Sequence, residues 1–213
     1  MTPLPTTLKL FPLSELVLFP DVVVPLHIFE PRYRTMLADA LAEDRVIGMV
    51  LMRTDEGDKP EIYPVGCAGT IVRHEPLEDG RSLIVLRGTV RFRIRRELVV
   101  DSPYRVVEAQ ALYEAPVPAE HMREWRTELR RRVNDYLGAL DADADSLDGI
   151  FAKQDFERIV NSLCVSLPFH VVERQSLLEC STAEQRFRRL CELVVFKTAE
   201  ARLGLDASRS ADS

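Results

Sequence analysis

The sequence predicts an α+β fold, in which a β-rich, barrel-like front half is followed by a helical back half. Up to about Tyr113 the apolar residues recur mostly at every second position, which is typical of strands. After Pro118 they recur mostly at spacings of three and four, which is typical of helices. About seven short strands with many non-local pairings favour a closed or partly closed barrel, because closure removes exposed strand edges.

The elements of the front half follow from its apolar runs. We predict short strands at LKLFPL and ELVLF, and a strand covered on both faces at DVVVPLHIF, which is apolar at both parities. Pro25 indicates a bulge or sheet edge there, and Pro31 suits the first turn of the short helix that follows. Further strands are predicted at RVIGMVLMR and VGCAGTIVRHE, and Asp79-Gly80 predicts a hairpin turn into RSLIVLRG. The last strands are TVRFRIRREL and YRVVEAQALY.

The back half contains three helical segments and one short helical turn. We predict helices over AEHMREWRTELRRRVNDYLGAL, FAKQDFERIVNSLCVSL and STAEQRFRRLCELVVFKTAEARLG, with the turn at VERQSLLEC. Gly204 is a natural helix end, and the polar residues after it are expected to be disordered. We therefore expect a β-rich pseudo-barrel subdomain with one short helix over residues 1–117, a helical subdomain over residues 118–204 and a disordered tail over residues 205–213.

Composition and short motifs disfavour several classes of protein. The net charge of −6 opposes attraction to nucleic acid or to an anionic membrane. No apolar run approaches the roughly 20 residues that cross a bilayer, and the amino terminus does not resemble a signal peptide, so we expect a cytoplasmic protein. The four cysteines share no CxxC spacing, and no two of the four histidines have metal-ligand spacing. Phosphate-cradling and dinucleotide-binding motifs are absent, so neither a metal nor a cofactor is expected.

Two features of the front half have both a functional and a structural interpretation. Arg91, Arg93 and Arg95 are expected on one strand face, where they form either a basic stripe for an acidic peptide or RNA backbone, or a solvated face paired with glutamates. The acidic total favours the second. His27 either lines a pocket opened at Pro25 or is a core or half-buried histidine bonded to backbone, and the apolar strand around it favours the second.

Three stretches of the chain resemble a known family. LKLFPLSELVLFPDVVVPLHIFEPRYRTML resembles the start of the amino-terminal domain of the ATP-dependent Lon protease. VGCAGTIVRHEPLEDGRSLIVLRGTVRFRI is similar to a hairpin and strand of that family, and NSLCVSLPFHVVERQSLLECSTAEQRFRRLCELV to its carboxy-terminal helical part. The resemblance runs from about Leu8 to Ala201. It implies a PUA-like β pseudo-barrel with a helical subdomain beside it, which agrees with the periodicity.

The resemblance also implies a domain that captures unfolded or damaged polypeptides. The chain ends at Ser213 without the ATPase module or the Ser-Lys proteolytic module of the full protease. We therefore expect a stand-alone, non-catalytic polypeptide-binding module of protein quality control, whose partners are unfolded or apolar polypeptide segments or another protein. A peptide could add along an open barrel edge. The expected binding residues, where a strand ends and a helix begins, are His27, Phe29, Glu30, Arg32, Tyr33 and Arg34.

Two other functions stay open at the level of sequence. RNA binding is the alternative, because PUA-like barrels often serve that purpose, and it would use Arg91, Arg93 and Arg95. A hydrolase site is the third hypothesis, and it would combine His27 or His74 with a nearby carboxylate. Such a site requires these groups to meet in one pocket.

Overall fold

The computed structural model describes residues 4–54, 59–115, 117–142, 147–152 and 155–211. The chain divides into two compact units. The first combines Met1–Tyr113 with Cys164–Glu179, and the second combines Glu114–Leu163 with Cys180–Ser213. No helix in the described ranges has both the length and the apolar character needed to span a membrane.

The first unit contains one mixed sheet, to which the described residues contribute six strands. They are β1 (Thr7–Leu13), β2 (Val23–Ile28), β3 (Val46–Leu51), β4 (Val65–Pro76), β5 (Ser82–Leu98) and β6 (Val106–Leu112). The strand order is β2-β5-β4-β3-β1-β6, and β6 also pairs with β5, so that all strands except β2 form a ring. Only the β1–β3 pairing is parallel among these. The predicted α+β fold with a barrel-like sheet is confirmed.

The length of β5 makes the ring possible. The sequence predicts two strands here, but the structure has one strand of 17 residues. Its first half pairs with β2 and its second half with β6, while β4 runs along its other side. The core of the ring is formed by alternate side chains of several strands, which are Leu8, Leu10, Val50, Ala68, Val90, Phe92 and Val107.

A buried segment between β1 and β2 differs from the prediction. The sequence predicts a strand at ELVLF, but Val17, Leu18 and Phe19 are buried without pairing in the sheet. The Phe19 carbonyl approaches β5 so closely that a Cβ atom at Gly88 would lie 2.0 Å from its oxygen. A glycine is required at this contact because the Cβ atom of any other residue would overlap with the carbonyl oxygen.

Two predicted turning points of the chain are found in the structure. Helix α1 (Pro31–Ala42) begins with its proline in the first turn, where the missing N–H costs nothing. It buries Tyr33, Met36, Leu37 and Ala40, which recur at spacings of three and four. Gly80 has a φ of 80° in the turn between β4 and β5, as Asp79-Gly80 predicts.

Helix α5 (Val171–Leu178) belongs to the unit that contains the sheet, whereas the predicted boundaries assign it to the helical subdomain. Buried polar side chains connect it to the strands. The Gln175 Nε2 donates to the Val65 carbonyl at 3.0 Å, and the Arg91 Nη1 donates to the Leu178 carbonyl at 2.8 Å. Because these partners are far apart in sequence, the apolar pattern of the helix does not reveal them.

The second unit is helical. Its elements are α2 (Ala119–Ala139), α3 (Asp148–Ala152), most of α4 (Phe156–Ser166) and α6 (Ala183–Ala211). Trp125 packs against Phe156 and Phe187, with ring centroids 5.9 Å and 5.1 Å away, and the two phenylalanine rings also contact each other at 5.3 Å. The buried Arg186 donates to Glu114 at 2.5 Å and to Asn161 at 3.1 Å, so its charge is compensated inside the unit.

The end of α6 differs from the predicted disordered tail. The helix continues past Gly204 to Ala211, and residues 212 and 213 lie outside the described residues. A glycine inside a helix costs only about 1 kcal/mol relative to alanine, and a formed helix is extended at low cost. Gly204 therefore does not end this helix.

Candidate functional site

Strand β2 is an edge strand, since it pairs with β5 on one side and with no other strand among the described residues. A β-bulge at its start sets its register. The Asp21 N–H donates to the Gly88 carbonyl at 2.9 Å, and the Gly88 N–H donates to the Val22 carbonyl at 2.8 Å. Asp21 has a φ of 64°, the left-handed conformation expected of the first residue in such a bulge. Val22 and Gly88 therefore form a hydrogen-bonded pair.

This pair decides which residues of β2 bond to β5, because hydrogen-bonded pairs alternate along an antiparallel ladder. With the observed register, the residues that bond to β5 are Val24, Leu26 and Ile28. The backbone polar groups of the intervening residues point to the open edge, and no described residue forms a hydrogen bond with them. The intervening residues are Val23, Pro25 and His27. A proline is tolerated at this outward position because it has no N–H to leave unpaired.

The side chains on the solvent side of β2 and β5 form an exposed apolar surface. Val23 is 47% exposed, Phe29 56% and Leu83 42%. The rings of His27 and Phe29 lie 5.6 Å apart. We call this surface the β2 outer face and define it by Val23, Pro25, His27, Phe29, Leu83 and Val85.

A shallow groove of about 350 Å³ lies on the β2 outer face. Pro25, His27 and Leu83 line it, and Arg73 and Glu75 of β4 supply its polar side. The two charged groups form an exposed ion pair of 3.1 Å, so the groove has an apolar floor and a neutral polar rim. This combination is typical of surfaces that bind apolar ligands reversibly.

The prediction that DVVVPLHIF is covered on both faces is therefore wrong. Val24 and Ile28 face the interior, but Val23, Pro25 and His27 are exposed. The interpretation of His27 as a core or half-buried residue is wrong for the same reason. The exposure of Val23, Pro25 and His27 shows that no described residue covers this face of β2.

The six predicted binding residues do not form a single cluster. His27 and Phe29 lie on the β2 outer face, and Glu30 and Arg32 form an exposed ion pair of 2.8 Å at the start of α1. Arg34 is exposed and lies over the hairpin turn, where a Cβ atom at Gly80 would be 2.2 Å from its Nη2.

Tyr33 faces a different cavity. Its ring is buried edge-to-face against Phe11 at 4.6 Å, and the Arg32 guanidinium lies 4.6 Å from its centroid. It lines a cavity of about 340 Å³ that also contains Arg105 and Glu97. Burial raises the pKa of the Tyr33 hydroxyl, and the charge of Arg32 opposes that rise. Tyr33 is thus neutral at ordinary pH and is separated from the β2 outer face.

The predicted arginine stripe is wrong in one of its three members. Arg93 and Arg95 are exposed, but Arg91 is only 2% exposed and donates a hydrogen bond to Leu178 of α5. Helix α5 covers β5 at Arg91, and the register of β5 with β6 shifts between Ile94 and Arg96, so the regular alternation is interrupted at Arg95. A phosphate backbone could therefore reach only two of the three.

One histidine–serine pair bears on the hydrolase hypothesis. The His74 Nε2 lies 3.1 Å from the Ser82 Oγ across β4 and β5. No described residue forms a hydrogen bond with the other ring nitrogen of His74, so a carboxylate that would orient the ring as a base is missing from the described part of the chain. In the described part of the chain, no three His, Cys, Asp or Glu side chains are grouped so that they could hold a metal ion.

Sequence reasoning did not select the β5 and β4 residues of the groove, Leu83, Val85, Arg73 and Glu75. A signal for Leu83 and Val85 exists, because successive side chains of a strand at RSLIVLRG point to opposite faces and one of its two parities faces away from the core. The register that sets these residues beside His27 depends on the bulge at Asp21 and is not visible in either strand alone.

A comparison with protein families assigns the chain. The family model described as "ATP-dependent protease La (LON) substrate-binding domain" matches residues 7–195. The chain belongs to the LON substrate-binding domain family. The resemblance stated from the sequence motifs is confirmed.

Similar LON proteins cover most of the chain. It is 26% identical over 179 residues to Lon protease 2 of Syntrophobacter fumaroxidans, covering 83% of the chain and 22% of that protein. It is 30% identical over 202 residues to Lon protease 2 of Herpetosiphon aurantiacus, covering 87% of the chain and 23% of that protein. The chain thus spans less than a quarter of the length of these curated relatives.

Two solved structures of LON domains share the fold. The Lon N-terminal domain protein from Xanthomonas campestris superposes with a TM-score of 0.62 at 27% identity, covering 87% of this chain and 97% of that one. The N-terminal domain of the Mycobacterium avium complex Lon protease has a TM-score of 0.69 at 16% identity, covering 91% of this chain and 98% of that one. At that identity the second comparison supports the fold alone.

Proposed function

We propose that this LON substrate-binding domain binds exposed apolar segments of unfolded polypeptides through the β2 outer face. The observation that carries the proposal is the exposed apolar surface along β2, which includes Val23, Leu83 and Phe29, beside a strand edge whose outward backbone groups bond to no described residue. The family description supports substrate binding as the class of function. Of the six residues expected from the sequence, His27 and Phe29 belong to the proposed surface.

The size of the surface favours reversible binding. Covering the exposed half of a valine, leucine or phenylalanine side chain contributes roughly 1 kcal/mol or more. Several such contacts must offset the loss of translational and rotational freedom on association, which costs at least about 4 kcal/mol. The β2 outer face is therefore suited to weak, exchanging capture of polypeptides rather than to a permanent interface.

Substitution of Leu83 tests the proposal. Leu83→Asp introduces a carboxylate at the centre of the apolar surface, where a bound segment would desolvate it. We expect the affinity for an unfolded, carboxymethylated model polypeptide, measured by fluorescence anisotropy, to fall about tenfold or more, which corresponds to about 1.4 kcal/mol. Val99→Asp is the matched control, because Val99 is fully exposed and lies away from this face. Equal affinities of the two variants would refute the site, and no binding by the parent protein would refute the function.

We further propose that the domain serves protein quality control without catalysing a reaction itself. The supporting observation is that the family model describes a substrate-binding domain. Incubation of the chain with an unfolded polypeptide and ATP should leave both unchanged in gel electrophoresis and phosphate release. Cleavage of either by the purified chain contradicts this part of the proposal and leaves the binding site to be tested separately.

A further inference from the structure

The geometry of the edge points to a specific mode of binding: we infer that the bound polypeptide is extended and adds to β2 as a further strand. This inference rests on the proposed function and deepens it, because it names the conformation that the ligand adopts and the backbone groups that hold it. The groups are the N–H of Val23 and His27 and the carbonyls of Val23, Pro25 and His27.

The outward groups can bond to a partner of this kind. Backbone donors and acceptors on an edge strand are satisfied by water or by another extended chain. Val23 and His27 are four residues apart, which is about 13 Å along a strand, so both donors can bond only to a segment that is itself extended. The hydrogen bonds within β2 and β5 remain intact when such a segment is added, because they use the opposite parity.

Pro25 limits pairing between copies of the protein at this edge. It interrupts the row of outward donors between Val23 and His27 but leaves its own carbonyl as an acceptor. An uninterrupted apolar edge would promote pairing between copies of the protein, and a central proline is a common protection against this. The N–H groups of Val23 and His27 remain on either side of Pro25 and can bond to one short segment.

The side-chain pattern of the ligand follows from the pleat. Residues directly opposite each other on neighbouring strands point to the same side of the sheet. Ligand residues beside Pro25 and His27 therefore lie over the β2 outer face and next to the ring of Phe29. The preferred segment has apolar residues at alternate positions, and its intervening residues are less restricted.

Backbone methylation of the ligand tests this mode directly. A fluorescent eight-residue peptide with apolar residues at alternate positions is compared with two N-methylated forms, each modified at amides of one parity. Strand addition uses the amides of one parity only, so we expect one form to bind more than tenfold more weakly than the other. Equal weakening of both forms, or of neither, would overturn strand addition.

Variants of His27 supply the complementary measurement on the protein. His27→Pro removes an outward N–H without breaking a bond to β5, whereas His27→Ala removes the side chain and keeps the N–H. We expect His27→Pro to bind the peptide about tenfold more weakly than His27→Ala. Equal affinities of these two variants contradict the inference, and if His27→Pro does not fold, the methylated peptides decide alone. Loss of all binding by the parent, to peptide and unfolded polypeptide alike, refutes the proposed function instead.

Discussion

Replacing Gly88 by alanine tests the contact that holds the start of β2 against β5. A Cβ atom at this position would lie 2.0 Å from the Phe19 carbonyl oxygen and 2.8 Å from its carbonyl carbon. Ordinary van der Waals contacts begin at about 3.4 Å, so the two backbones must separate by about 1.4 Å. The same region contains the Asp21 bulge, and the bulge sets which residues of β2 face outward.

The expected loss of stability follows from the contacts and hydrogen bonds that such a separation weakens. Overpacking costs about 1–3 kcal/mol where side chains can yield, and here the opposing atom is a backbone carbonyl. That carbonyl accepts the Val22 N–H at 3.2 Å, and Gly88 exchanges two further hydrogen bonds with Asp21 and Val22. Each hydrogen bond weakened adds about 1 kcal/mol. We expect Gly88→Ala to lower the free energy of unfolding by about 3–5 kcal/mol.

Urea denaturation followed by far-ultraviolet circular dichroism measures this loss. Gly138→Ala is the matched control, because a Cβ atom at Gly138 in α2 meets nothing within 4 Å. The same chemical change should stabilise the protein there by about 0.5–1 kcal/mol. If Gly88→Ala unfolds at the same urea concentration as the parent protein, the close backbone contact and the register argued from it are refuted.

Two ionisable groups give further predictions. Burial alone would raise the pKa of Glu97, but hydrogen bonds from Arg105 and Lys59 outweigh it and lower the pKa. The stabilisation is therefore complete above the unfolded-state pKa near 4.5 and is lost as the pH falls through the lower folded-state pKa. Glu97→Gln should cost about 1–3 kcal/mol at pH 7 and flatten the acid side of the stability profile, and an unchanged profile in urea titrations contradicts this. Burial raises the pKa of the Cys191 thiol to about 11, so at pH 8 iodoacetamide should modify Cys191 far more slowly in the folded protein than in urea, as peptide mass spectrometry can measure.

Local patterns in the sequence predict much of the fold. The alternation of apolar residues locates most of the strands, Pro31 marks the start of α1, and Asp79-Gly80 marks the β4–β5 turn. These features depend on residues that are close in sequence. The division of β5 into two predicted strands fails because Gly88 looks like a strand break, whereas its role is to admit the backbone of Phe19.

Features that depend on distant contacts are not predictable from the same patterns. Arg91 alternates with apolar residues as an exposed residue would, but it is buried and its guanidinium donates to the α5 carbonyl of Leu178. Helix α5 itself has an ordinary apolar stripe, which does not reveal that it belongs to the sheet-containing unit or that Gln175 donates to the Val65 carbonyl.

The error on β2 has a physical reason that also supports the proposed site. A strand that is apolar at both parities is normally covered on both faces, because burying apolar side chains removes their unfavourable contact with water. In the structure Val23, Pro25 and Phe29 are exposed at an edge that could have carried polar residues at no cost to the core. At such a position the apolar pattern predicts burial, but the fold leaves the side chains exposed. A bound ligand can bury them instead. The expectation that failed for the isolated chain is therefore the one that should hold for its complex with an extended polypeptide.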